Sequence, residues 1–431
     1  MNGAHTSLAL EQAPPISVPF RFFLAAPVFL LAAGGLMLAN GPELLASRWH
    51  PATLALVHLL TLGFLATSMA GALMQMLPVV AGAPIAFPRT VAGLVHLPLM
   101  AGTLWLARGL DRADAHDIRL AMAALTLACG VLLLACGHSL LHSPVRHATV
   151  RAMRLALLAL TATAGIGIAL AAVRVGMLNL ALLPWTSLHA QWGLIGWVGV
   201  LVMGVSWQVI PMFQLTPAYP AAVTRWFGGV IYAALTLDSA TPWLASAPAA
   251  WITTGTHGVL VTCLASYALV TLRLQAARRR KLPDVSLQFW RIGMASLLAA
   301  ALLWLAGQVT SIGDDPRYPI ALGMLYLAGF AISVVNGMLY KIVPFLVWFH
   351  LQSHPARRNT APGIKLVIAD SDSRRQLRLH TIALLLLFAS LGWPVLAHVA
   401  GFTFVLSAGW LWWNLLQATR MYIRLAAGSP G

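Results

Sequence analysis

A chain of 431 residues that is 59% hydrophobic and 9% charged, with a mean hydropathy of +0.81, carries more apolar surface than a water-soluble core can hide. That excludes an ordinary soluble globular domain. The net charge of +16 raises the question of nucleic acid, but the placement of the basic residues answers it differently.

Apolar runs of membrane-spanning length predict helices near 18–40, 54–78, 90–108, 118–141, 152–174, 187–211, 224–242, 251–275, 285–307, 320–346, 376–398 and 400–423. In lipid each backbone N–H and C=O must pair within its own segment, so the expectation is an all-α integral membrane fold of twelve spans. Residues 1–17 form a short polar tail, and no small-residue cleavage pattern follows the first apolar run from Val18. With the N-terminus in the cytoplasm, Arg48, Arg108, Arg112, Arg119, Arg174 and Arg317 fall outside, and the other 21 of 27 Lys and Arg fall inside. Many are in the runs Arg278-Arg279-Arg280-Lys281 and Arg357-Arg358. This is the positive-inside bias of a multi-pass protein touching anionic lipid, not a nucleic-acid surface. The 16 Trp lie largely near predicted helix ends, where interfacial aromatics gather. The three cysteines, Cys129, Cys136 and Cys263, form no CxxC or CxxCH pattern. Covalent c-type haem attachment is excluded, and buried packing thiols are expected.

The stretch "HLLTLGFLATSMAGALMQMLP" contains a device that recurs. Pro78 is preceded by Gln75, Gly71 and Gly63; Pro211 by Gln208, Gly204 and Gly196; Pro344 by Lys341, Gly337 and Gly329. Each copy reads G-x7-G-x3-[Q/K]-x2-P, and successive copies lie 133 residues apart. A unit of that length holds four helices, an even number, so the units run in the same direction. The expectation is a single membrane domain over 1–431 built from parallel repeats at about 18–150, 151–283 and 284–425, with pseudo-threefold symmetry. The motif helices (second, sixth and tenth) would pack near the centre through their glycines. The proline would end or kink each helix, and the Gln or Lys one turn earlier would satisfy carbonyls that the proline frees.

Twelve helices in three parallel quartets, with His58 and His189 near the outer ends of the second and sixth, resemble subunit I of the haem-copper oxidase superfamily. The stretches "VHLLTLGFLATSMAGALMQMLPVVAG" and "HAQWGLIGWVGVLVMGVSWQVIPMF" are similar to its divergent bacterial oxidase subunit-I-like branch and to NnrS-type membrane haem proteins. The resemblance implies a bacterial inner membrane location and a b-type haem. It makes His58 an axial haem ligand and matches His189 to a copper-ligating histidine. It also marks what is missing. The seventh helix, "RWFGGVIYAALTLDSATPW", lacks the copper-site His pair, and the tenth, "IALGMLYLAGFAISVVNGMLYKIVP", lacks the paired haem ligands. Oxygen reduction and proton pumping are therefore not expected, and copper has a reduced set of ligands.

Histidine inside lipid needs a partner. His58 lies 20 residues before Pro78 and His189 lies 22 before Pro211, an offset of about 200° around a helix, so the two rings are expected to look into different inter-repeat spaces. The repeat equivalents of His58 are Gln191 and Met324. Met324 is either a second axial ligand opposite His58 or a core methionine. His257 could join His189 in a second site or be a hydrogen-bonded interior histidine. His398, placed near the outer end of the eleventh helix, is an alternative partner for His58. His96 and His138 read as packing residues. His50, His116, His142, His147, His350, His354 and His380 fall in loops or at helix ends, where solvated roles are the default. The long basic loop from Leu351 to Gln376 reads as a cytoplasmic linker.

Two functions follow. One is a haem-binding membrane protein that transfers electrons or handles nitric oxide or another small ligand, with a redox partner or further membrane subunit. The other is a cofactor-free transporter or assembly factor on the same scaffold, using Gln75, Gln191, Gln208 and Lys341 along its inter-repeat spaces.

Overall fold

The computed structural model describes residues 9–279, 284–353 and 361–428. Arg280 and Lys281 of the first basic run, the pair Arg357-Arg358 and His354 lie outside the described residues. The described chain is helical, without strands. Its long rods are α1 (Ser17–Asn40), α2 (Pro51–Ala81), α3 (Pro88–Arg112), α4 (Ala115–Leu141), α5 (Ala148–Arg174), α6 (Leu182–Gln214), α7 (Ala221–Asp238), α8 (Ser246–Ala276), α9 (Val285–Val309), α10 (Tyr318–Gln352), α11 (Asp370–Ala389) and α12 (Leu396–Ala427). Ten are long and apolar enough to cross a membrane. The other two are α7, which carries Arg225 and ends at Asp238, and α11, whose first turns hold Asp370, Asp372, Arg374, Arg375 and Arg378. Consecutive rods pack side by side through most of the chain, and α1 packs against α12, which closes the circuit. Large apolar side chains such as Leu97, Leu134, Leu302 and Trp251 stand on the outside, as a lipid-facing surface requires. The three cysteines are free, with Cys136 and Cys263 buried.

The motif helices share a feature that the sequence did not announce. Each contains an eight-residue π-helical segment: Leu59–Ala66 in α2, Trp192–Gly199 in α6 and Leu325–Ile332 in α10. Each begins 133 residues after the last, and the first motif glycine (Gly63, Gly196, Gly329) is its fifth residue every time. Helices of i→i+5 type are rare, and they cluster at functional sites. The three rods border a common cavity. Its lining includes Met69, Val202 and Val335, and also Met76, Val209 and Ile342; each trio is spaced by 133.

The glycines pack tightly, but their neighbour is the rod that immediately precedes their own in the chain. A Cβ on Gly71 would fall within 3 Å of Phe22 on α1, one on Gly204 within 3 Å of Ala152 on α5, and one on Gly337 within 3 Å of Phe289 on α9. The prolines do not end their helices. Pro78, Pro211 and Pro344 all lie inside continuing rods, as membrane helices allow when neighbours take over the freed backbone groups. Lys341 does not serve those carbonyls either. Its Nζ donates to Asp284 Oδ2 at 2.7 Å, and Asp284 also caps α9 through the Leu287 amide. Asp284→Asn keeps a capping oxygen but strands the half-buried ammonium. A loss of about 1–3 kcal/mol is expected, read as a lower thermal midpoint in detergent.

The boundary between α11 and α12 also differs from expectation. Gly392 and Pro394 interrupt the apolar pattern, so α11 stops at Ala389 and α12 starts at Leu396. His398 therefore stands in the first turn of the last rod rather than at the end of the eleventh. His380 lies about three turns inside α11, is 1% exposed and shares a 2.7 Å hydrogen bond between its Nε2 and Ser333 Oγ. It is a buried interhelical contact, not a solvated loop histidine.

Candidate functional site

His58 is the last residue before the π segment of α2, and His189 lies three residues before that of α6. The two rings face each other with centres 6.2 Å apart and planes inclined by 22°. This corrects the expectation that they look into separate spaces. A spacing in residues fixes the offset along one helix and not how two different helices turn toward each other, so it could not foresee the shared cleft.

Each ring is oriented by a backbone carbonyl. His58 Nδ1 is 2.7 Å from Leu54 O on its own helix, and His189 Nδ1 is 3.1 Å from Thr163 O on α5. A carbonyl only accepts, so both Nδ1 atoms carry the proton and both Nε2 atoms keep a lone pair. Metal-bound histidines are held this way, with the far nitrogen donating to a carbonyl or carboxylate. Two imidazoles bound on opposite sides of one metal ion, at about 2.0–2.1 Å per bond, have ring centres roughly 6 Å apart. The His189 ring rests on Gly167 of α5, where a Cβ would lie 2.8 Å from Cε1. Gly167→Ala is expected to tilt that ring and weaken any metal bond it makes by about 10- to 100-fold, the range for lost orienting contacts, with the fold retained; metal or haem content after dialysis measures it.

The remaining candidates are distributed differently. Met324 is 9% exposed in an apolar cluster with Ile320, Ala328 and Leu384. His257 Nε2 is 3.7 Å from Asp238 Oδ2, and Asp238 Oδ1 accepts from Thr256 Oγ1 at 3.1 Å. Gln191 lies against the same carboxylate. This polar cluster, formed by α6, α7 and α8, gives His257 a carboxylate neighbour. The sequence signal for it was Asp238, the acidic residue nearest the membrane interior. His398 Nδ1 meets Leu38 O at 2.7 Å, and its ring covers Gly41. His96 packs edge-on against Phe22 at 5.3 Å, as a packing histidine should. His142 and His138 lie one turn apart at the exposed end of α4, with ring centres 4.3 Å apart and planes inclined by 42°.

Among the described residues, no group of three or more His, Cys, Asp or Glu could hold a metal ion. The donor set at the facing pair is thus two neutral imidazoles without carboxylate or thiolate. Such a set suits haem iron or copper and does not suit magnesium or calcium, which take oxygen ligands. No family model matches the chain, and no curated protein matches it in sequence.

Proposed function

We propose that this is a haem b protein of the bacterial inner membrane in which His58 and His189 are the two axial ligands of one haem, and that it carries electrons. The observation that supports it most is the facing pair: ring centres 6.2 Å apart, planes within 22°, and both Nδ1 atoms engaged by backbone carbonyls. A bis-imidazole site has no open coordination position, so it favours electron transfer over oxygen reduction or direct capture of nitric oxide. In this reading His189 rather than Met324 is the second axial ligand, and His189 is not part of a copper site.

The scaffold in this reading is twelve spans in three like-oriented quartets around a pseudo-threefold axis, with the N-terminus in the cytoplasm. The three π segments at constant spacing and the two trios around one cavity support it. The α7 and α11 rods, less apolar than the rest, then also cross, with Asp238 held by Thr256 and with Arg374 and Arg375 paired to Asp370 and Asp372. Extracting the haem from purified protein and measuring it as a pyridine complex tests the reading. One haem b per chain is expected, and a stable, folded, haem-free protein from haem-replete cells overturns it.

A further inference from the structure

The last turn of α4 carries two histidines that the haem reading does not use. His138 and His142 are four residues apart, which puts them on one face of the rod, and both are exposed. Their ring centres are 4.3 Å apart, and their planes are inclined by 42° rather than stacked in parallel. His142 Nδ1 donates to His138 O at 2.8 Å, which leaves the lone pair of His142 Nε2 free. The turn itself is tied down. Ser139 Oγ donates to Ala83 O, Ser143 Oγ donates to Ala81 O at 2.6 Å, and Arg154 Nη2 donates to Leu140 O at 2.7 Å. The residue that follows each histidine is thus anchored to the end of α2 or just beyond it.

We propose that His138 and His142 chelate a divalent transition-metal ion, copper(II) foremost, at this end of α4. The proposal goes beyond the haem reading and does not depend on it. Spacing is the first argument, because histidines at i and i+4 on one helix face are a recurrent metal-binding pair. Geometry is the second. Two imidazoles side by side on one ion, at about 2.0–2.1 Å per bond, have ring centres about 4.5 Å apart when the bonds meet at a right angle and about 5.2 Å apart at the tetrahedral angle. The separation of 4.3 Å fits the right angle. That is the tetragonal geometry of copper(II) and nickel(II) rather than the tetrahedral one of zinc, and copper(II) leads the order of affinities. The third argument is preorganisation. The anchored turn fixes the backbone before an ion arrives, so chelation has only the two side chains to order. The C-terminal end of a helix also carries partial negative charge and favours a cation; Arg154 on Leu140 O already places one there. Among the described residues no third His, Cys, Asp or Glu joins the pair, so water fills the other coordination positions.

Copper(II) titration of the untagged full-length protein in detergent, followed by electron paramagnetic resonance, is the test. The first equivalent should give a tetragonal copper signal with hyperfine structure from two nitrogens. His138→Ala and His142→Ala should each weaken binding by about 10-fold or more, and the double variant should lose the signal. Both side chains are exposed, so the thermal midpoint should not move. His116→Ala, exposed at the opposite end of the same rod, should bind copper as the unaltered protein does. The signal should also persist in the His58→Ala/His189→Ala protein, so failure of this site and failure of the haem reading are separable. If an alanine variant does not fold, His138→Gln and His142→Gln remove the imidazoles while keeping a polar side chain. No tetragonal signal in the unaltered protein, copper binding that survives loss of both histidines, or tighter binding of zinc(II) than of copper(II) would overturn the proposal.

Discussion

In the proposed haem site, replacing His58 by alanine is expected to convert a low-spin, six-coordinate haem to a high-spin species and to lower haem retention by at least the 10- to 100-fold seen when metal ligands lose support. His189→Ala should do the same, because the two rings are equivalent partners 6.2 Å apart and neither has a nearby substitute. The double variant should purify without haem. Added imidazole should restore the low-spin spectrum of either single variant, since it fills the emptied position without rebuilding the protein. Met324→Leu is the informative control. Met324 sits in its own apolar cluster, so the spectrum should not change; a high-spin shift in that variant would transfer the axial role from His189 to Met324.

The second large effect concerns packing. Gly204→Ala is expected to destabilise the protein by about 1–3 kcal/mol, the ordinary cost of overpacking a close contact. Its Cβ would fall well inside 3 Å of the Ala152 Cβ, on a rod whose backbone follows immediately behind. Elsewhere in a helix the same change adds up to about 1 kcal/mol of stability. Gly229→Ala on α7, where a Cβ meets nothing within 4 Å, should therefore be neutral or mildly stabilising. Ala152→Gly combined with Gly204→Ala moves the methyl across the contact and should recover most of the loss. Thermal unfolding in one detergent compares all four proteins, and a missing rescue would mean that the methyl clash is not the cause.

Much of the scaffold was legible because apolar length and a repeated motif are properties of residue type. The apolar spans and the 133-residue period came from that level; the choice of His58 and His189 came from the family resemblance. What stayed hidden depended on how neighbouring rods face each other. The residue offset between the two histidines led to the wrong expectation, since it says nothing of how α2 and α6 are turned toward each other. The π segments have no residue signature beyond the glycine at their fifth position. Lys341 was assigned to local carbonyls because Asp284, 57 residues away, is invisible to local reasoning. His380 was placed at a helix end because the charged residues 370–378 masked the true start of α11.

The most direct test is the low-temperature electron paramagnetic resonance spectrum of the oxidised, purified protein. Two imidazoles whose planes lie within 22° of each other should give a rhombic low-spin ferric signal with three resolved g values, as nearly parallel axial rings do. A signal typical of histidine–methionine ligation, a high-spin signal alone, or no haem iron in a folded sample would contradict the pairing of His58 with His189.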